Sequence, residues 1–168
     1  MTDIATLFEP ISKPAGADRR LINRFSAAWI RASRGDFPSW DELRKIDMGS
    51  DWNWVFVVDL AKSNGFPHFS YLGSNLAQLA DIYLVDGSEW TVSVLDRASQ
   101  EIGAAVANEG PHAVEDTLTL SDGRPLLFRC LTAPLAEDGL FITKVVGIVS
   151  GRLSSFNENV YTAVNDLV

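Results

Sequence analysis

Cysteine is nearly absent from this chain. Its 168 residues hold one, Cys130, which excludes an internal disulfide and any multi-cysteine metal centre. Histidine is almost as scarce, with two, so the inventory of bases and ligands for catalysis is thin. No spacing matches an EF-hand, a P-loop, a dinucleotide fingerprint or a zinc site. Long apolar runs are missing too. The longest, Val145 to Val149, falls far short of the roughly 18 residues of a membrane span. Residues 1–17 carry Asp3, Glu9, Pro10 and Pro14 where a secretory signal would need an apolar stretch, so a cytoplasmic chain is expected. Basic charge is short as well. Lys and Arg number 14 against 22 Asp and Glu, for a net charge of −8. That balance argues against nucleic acid and anionic membranes as partners.

What is present is ordinary globular material. Hydrophobic residues make up 46% and charged residues 21%, which excludes a mostly disordered chain. The length suits one domain. Charge is uneven along it. Residues 1–34 hold six basic residues against three acidic, net +3, and the remainder holds eight against nineteen, net −11. The basic start reads as a solvated helix face, or as a surface that seeks an acidic partner.

Residues 1–17 read as a flexible lead-in, followed by a domain over 18–152 and a C-terminal helix over 153–168. Asp18 suits an N-cap. After it, Leu21, Phe25, Ala28, Trp29 and Ala32 form one apolar helix stripe, and Gly35 stops the helix. Ser39 and Glu42 make a capping box for a short helix over about 40–47. Residues 54–60 and 68–72 read as two strands of a hairpin around Ser63-Asn64-Gly65. One or two helical turns follow over 75–85, then the turn Asp86-Gly87. Residues 93–108 predict a single helix, with Leu95, Ala98, Ile102, Ala105 and Val106 on one face and Asp96, Arg97, Gln100 and Glu101 on the other. Three strands close the pattern, joined at Asp122-Gly123 and Glu137-Asp138-Gly139. The last, Ile142 to Ser150, is apolar on both faces and is expected to be central. Ser155 and Glu158 then cap a helix whose stripe is Phe156, Val160, Ala163, Val164 and Leu167. Two strand groups separated by helices imply an α+β fold: a five-stranded antiparallel sheet with a helical crossover on one face and terminal helices on the other.

That order resembles the PAS domain, and most closely a bacterial single-PAS family common in alphaproteobacteria. The resemblance covers about residues 20–152. It rests on Trp29 to Pro38 with its Arg34-Gly35 exit, on Phe56-Val-Val-Asp-Leu60, on Phe69-Ser-Tyr-Leu-Gly73, on Asp122-Gly123-Arg124, on Leu135-Ala-Glu-Asp-Gly139 and on Val145 to Ile148. The second-strand motif is one or two residues short of the family pattern. The resemblance implies a PAS-like fold and a sensory or interaction role, without supplying a ligand or a catalytic set.

Within that frame several chemistries are not expected. Haem-binding PAS proteins place the axial histidine on the long crossover helix; residues 93–108 contain none, and His112 lies just beyond. Flavin photoreceptors of this kind carry an adduct-forming cysteine early in the helical region; Gly73-Ser-Asn-Leu-Ala-Gln78 has none. No cofactor and no metal are therefore expected. His68 reads as a solvated turn residue. Cys130, mid-strand, reads as a small buried hydrophobe. Glu115 and Asp116 are adjacent on a strand, so they face opposite ways and cannot form one dyad. Arg129 is placed to pair with a neighbouring acid.

Three expectations remain. An apolar pocket between the crossover helix and the sheet would be lined by Leu79, Trp90, Leu95, Ala98, Ile102, Phe128 and Cys130; the same residues equally suit a packed core. A homodimer would form through the stripe of Leu21, Phe25 and Trp29, unless that stripe is used up in covering its own sheet. The functional reading is a sensor or adaptor, not an enzyme, that binds a small molecule or a protein and signals to a protein partner in trans. A ligand-free interaction module is the alternative, and a small α+β enzyme the third.

Overall fold

A computed structural model describes residues 9–10, 16–85 and 92–153. The elements run β1 (Glu9–Pro10), α1 (Gly16–Ser33), α2 (Trp40–Arg44), a 3-10 segment (Gly49–Trp54), β2 (Val55–Asp59), β3 (His68–Leu72), α3 (Ser74–Leu79), β4 (Tyr83–Leu84), β5 (Val92–Ser93), α4 (Val94–Ser99), α5 (Ile102–Asn108), β6 (His112–Thr119), β7 (Pro125–Leu135) and β8 (Lys144–Leu153). Five strands form an antiparallel sheet in the order β3-β2-β8-β7-β6. The fold is α+β, as expected, and β8 is central, between β2 and β7. The expected C-terminal helix and the turn Asp86-Gly87 lie outside the described residues.

Alternation along the strands divides the core into two layers. On one face Phe56, Val58, Phe128, Cys130 and Val149 pack with Leu76 and Leu79 of α3 and with Val94, Leu95 and Ala98 of α4. On the other, Val55, Val57, Leu131, Ala133, Val146 and Ile148 pack with Phe25, Ala28, Trp29 and Ala32 of α1 and Leu43 of α2. β8 supplies both layers, which is why its stretch from Val145 to Val149 is apolar on both faces.

Local signals explain most boundaries. The Ser39–Glu42 capping box starts α2. Asp59 Oδ1 accepts from the Ala61 and Lys62 amides and so shapes the β2–β3 turn. Arg34 and Gly35 take positive φ values of 42° and 96° and end α1.

Four boundaries differ from the sequence reading. α1 begins at Gly16, so Asp18 sits inside its first turn and is not the cap. Glu9–Pro10 pairs in parallel with Arg152–Leu153, which makes part of the expected lead-in a strand and extends the last strand to Leu153. Tyr83–Leu84 pairs with Val92–Ser93, a ribbon that the helical reading of 75–85 did not contain. The crossover is two helices, not one. Ser99 Oγ bonds the Leu95 carbonyl at 3.1 Å, and the Gln100 and Glu101 amides turn back to Arg97 and Ala98 at 3.2 Å. Those tighter bonds interrupt the ladder before α5 restarts at Ile102.

Candidate functional site

The site is the interface between the two-piece crossover and the sheet. α4 is fixed by a capping box that the sequence reading passed over: Ser93 Oγ accepts from the Asp96 amide at 3.0 Å, and Asp96 Oδ2 accepts from the Ser93 amide at 3.0 Å. The Val94 amide also donates to the Ile82 carbonyl at 2.9 Å. α4 thus enters the interface at a set angle, with Leu95 and Ala98 facing the strands.

Leu79, Leu95, Ala98, Phe128 and Cys130 belong to one buried cluster, and Ile102 packs against it. Six of the seven pocket residues expected from sequence are therefore brought together. Trp90 lies outside the described residues. Cys130 is buried, and loss of hydration pushes its thiol up to about 12, with Glu101 adding to the rise and Arg97 opposing it. At that value it is a protonated, inert side chain at neutral pH.

Charged groups close the margin of this cluster. Arg97 donates from Nη1 to Glu101 Oε1 at 2.6 Å and from Nη2 to Asp116 Oδ2 at 3.4 Å. Its guanidinium lies 5.3 Å from the ring centre of Phe128, a cation–π distance. His112 Nε2 is 3.0 Å from Glu101 Oε2, and His112 Nδ1 is 3.4 Å from Asn108 Nδ2. Thr132 Oγ1 donates to the Glu101 carbonyl at 3.2 Å and so ties the break between α4 and α5 to β7. The arrangement is a latch, joining both helices of the crossover to β6 and β7. Sequence reasoning placed Arg97 and Glu101 on the helix face opposite the apolar stripe. Their i, i+4 spacing was a signal for the pair, but the partners on β6 are visible only once the chain is folded.

On the other face, Arg129 meets Glu115 across the strands, with Nε 3.1 Å from Oε2, while Asp116 points the opposite way to Arg97. The expected division of that acidic pair holds. A cleft of about 310 Å³ lies beside Arg129, walled by Ile22, Asn23, Ala113, Val114 and Glu115. The α1 stripe is largely internal. Phe25 is fully buried, and Trp29, 8% exposed, donates its indole N–H to the Pro134 carbonyl at 2.9 Å. Leu21 packs half-buried against the same layer. Phe25 and Trp29 are used in covering their own sheet.

His68 is exposed at the start of β3. Among the described residues no three His, Cys, Asp or Glu side chains are grouped to hold a metal ion, and no helix is long and apolar enough to cross a membrane.

No family model and no curated protein matches the chain. Among solved structures it is similar to the blue-light photoreceptor Aureochrome1 LOV in its dark state, with 17% identity over 70% of this chain and 86% of that one and a TM-score of 0.40. A fungal LOV domain photoreceptor gives 18% identity over 63% of this chain and 80% of that one, with a TM-score of 0.37. The light-state dimer of the fungal blue-light photoreceptor Vivid gives 13% identity over 86% and 98%, with a TM-score of 0.39. Likeness at this level adds nothing to the fold already described and carries no chemistry across.

Proposed function

We propose that this chain is a cytoplasmic PAS-type sensory or adaptor domain. It binds a small apolar molecule between crossover and sheet and passes the change to a protein partner in trans. The observation that carries this reading is convergence. Residues from α3, α4, α5 and β7 meet in one apolar cluster under a crossover that is held down by a polar latch at its margin. Ala98 puts a small residue of the crossover in the same cluster as the large ring of Phe128, and an apolar interior with few polar anchors suits a small-molecule site.

A ligand that enters there separates α4 and α5 from β6 and β7. The Arg97–Asp116 and Glu101–His112 contacts lie across that seam, so they report the change. β7 and β8 each supply side chains to both layers, which carries the displacement to α1 on the far face.

Protein isolated from its native host and analysed by native mass spectrometry tests the reading. The expected result is a bound compound that Ile102→Trp excludes while the fold is kept. A chain that carries nothing, or an equal load in a folded Ile102→Trp variant, would count against it. The second reading is a ligand-free interaction module. It is favoured by how completely Leu79, Ala98 and Phe128 are buried, and an empty chain with a defined protein partner would establish it.

A further inference from the structure

Three of the large exposed apolar side chains stand at one end of the sheet. Phe66 is 83% exposed, Leu140 68% and Phe141 73%. Phe66 belongs to the β2–β3 turn, and Leu140 and Phe141 to the β7–β8 turn. β2 and β8 are neighbours, with Asp59 opposite Lys144, and the Leu60 amide bonds the Thr143 carbonyl at 3.0 Å. The two turns therefore leave the sheet side by side.

Both turns are internally braced. Asp138 Oδ1 accepts from the Leu140 and Phe141 amides, each at 2.9 Å. The Gly139 carbonyl accepts from the Phe37 amide, which ties this turn to the link after α1. In the other turn Ser63 Oγ donates to the Asp59 carbonyl at 2.7 Å and accepts from the His68 amide at 3.0 Å. Apolar side chains held outward on braced turns lose little further freedom when they are covered, which favours association.

We propose that this end of the sheet is a self-association surface that meets the same surface of a second copy about a two-fold axis. The charges beside the apolar residues are complementary under that symmetry. Lys62, without an ion pair among the described residues, shares the β2–β3 turn with Phe66, while Asp36 and Asp138 lie at the β7–β8 turn of Leu140 and Phe141, and Glu137 beside them is paired with Lys144 of its own chain. A two-fold axis sets the β2–β3 turn of one copy against the β7–β8 turn of the other, apolar on apolar and lysine toward the acidic rim. The three side chains expose on the order of 400 Å² per copy, so pairing hides about 800 Å², in the range of weak, reversible contacts. An anionic membrane is a poor occupant for a chain of net charge −8. This surface is separate from the crossover site and does not depend on its occupancy.

Sedimentation of the full chain from about 10 to about 500 µM tests the proposal, since a contact of this size dissociates within that range. The expected result is a concentration-dependent monomer–dimer equilibrium that Phe66→Ser/Phe141→Ser shifts to monomer, with the far-UV spectrum unchanged. Ile30→Glu, which alters the exposed side of α1, should leave the equilibrium as it is. A wild-type chain that stays monomeric throughout would overturn the proposal. So would undiminished association in the double variant, or dissociation by Ile30→Glu alone.

Discussion

Gly147 on β8 lies directly beneath the ring of Phe56 on β2, its partner across the strands. A Cβ at Gly147 would overlap Cζ and Cε1 of that ring and stand 2.9 Å from Cε2. Phe56 is fully buried, so its ring has nowhere to move. The glycine is the space that the ring occupies. Gly147→Ala should therefore lower stability by roughly 1–3 kcal/mol, the usual cost of overpacking. Paired with Phe56→Leu, it should cost less than the sum of the two single changes. Chemical denaturation of the four species measures both, and strict additivity would show that the ring and the glycine do not interact.

That contact also marks where sequence reading stops. The last strand, read from sequence as Ile142 to Ser150, was legible as central because that stretch is largely apolar on both faces, and the Asp122-Gly123 and Glu137-Asp138-Gly139 turns marked its neighbours. Gly147 was legible only as part of a family-like spacing. Its physical role depends on a ring 91 positions earlier in the chain, and no local pattern encodes that. The candidate site divides the same way. Leu95, Ala98 and Ile102 follow helical periodicity, and Phe128 and Cys130 follow strand alternation, so both faces were correctly oriented before folding. The latch was not visible, because Arg97, His112 and Asp116 meet across elements. The crossover break was hidden for a different reason: apolar spacing runs through it unbroken, while Ser99 competes for the Leu95 carbonyl.

Cys130 gives a prediction in pH. Its thiol is raised from an ordinary value of 9.0 to about 12, first by burial and then by Glu101. The folded chain therefore keeps the proton over a range in which the unfolded chain releases it. Above about 9 the unfolded state binds fewer protons, so stability falls as pH rises from 9 toward 12 and is fully present below that window. Cys130→Ala should flatten this slope. At pH 8 the native thiol should be unreactive toward a disulfide reagent, and denaturant should release one equivalent. Rapid labelling of the native chain would show that the β7 face is open.

Asp138 gives the opposite sign. The Phe141 and Leu140 amides hold its carboxyl below the ordinary 3.8. Order in this turn is therefore present above 3.8 and is lost as pH falls through the lowered value. Asp138→Ala should produce the same loosening at neutral pH. The Leu140 and Phe141 amides should then exchange with solvent several-fold faster, while those of β7 and β8 keep their protection. Equal protection in the variant would mean that the backbone alone shapes the turn.

Arg97 carries the last prediction, because it joins the latch to the apolar cluster. It binds Glu101 at 2.6 Å and Asp116 at 3.4 Å, and it covers the face of Phe128. The pair with Glu101 is shielded, each side chain being 16% exposed, so removing the cation leaves a poorly hydrated carboxylate with His112 as its remaining side-chain partner. Arg97→Met preserves much of the aliphatic stem over the ring while deleting the charge. It should cost about 1–3 kcal/mol, and adding Glu101→Gln should recover part of that loss by removing the stranded charge. A packing role for Arg97 alone predicts no such recovery, which makes the double variant the deciding measurement. The latch reading adds a kinetic consequence. With the seam between α4 and β6 released, amides of residues 94–108 should exchange faster than those of the central strands, and any compound carried at the crossover should leave sooner. If exchange in the crossover is unchanged in Arg97→Met, the apolar cluster by itself holds these helices to the sheet, and the charged groups at its margin serve hydration and not closure.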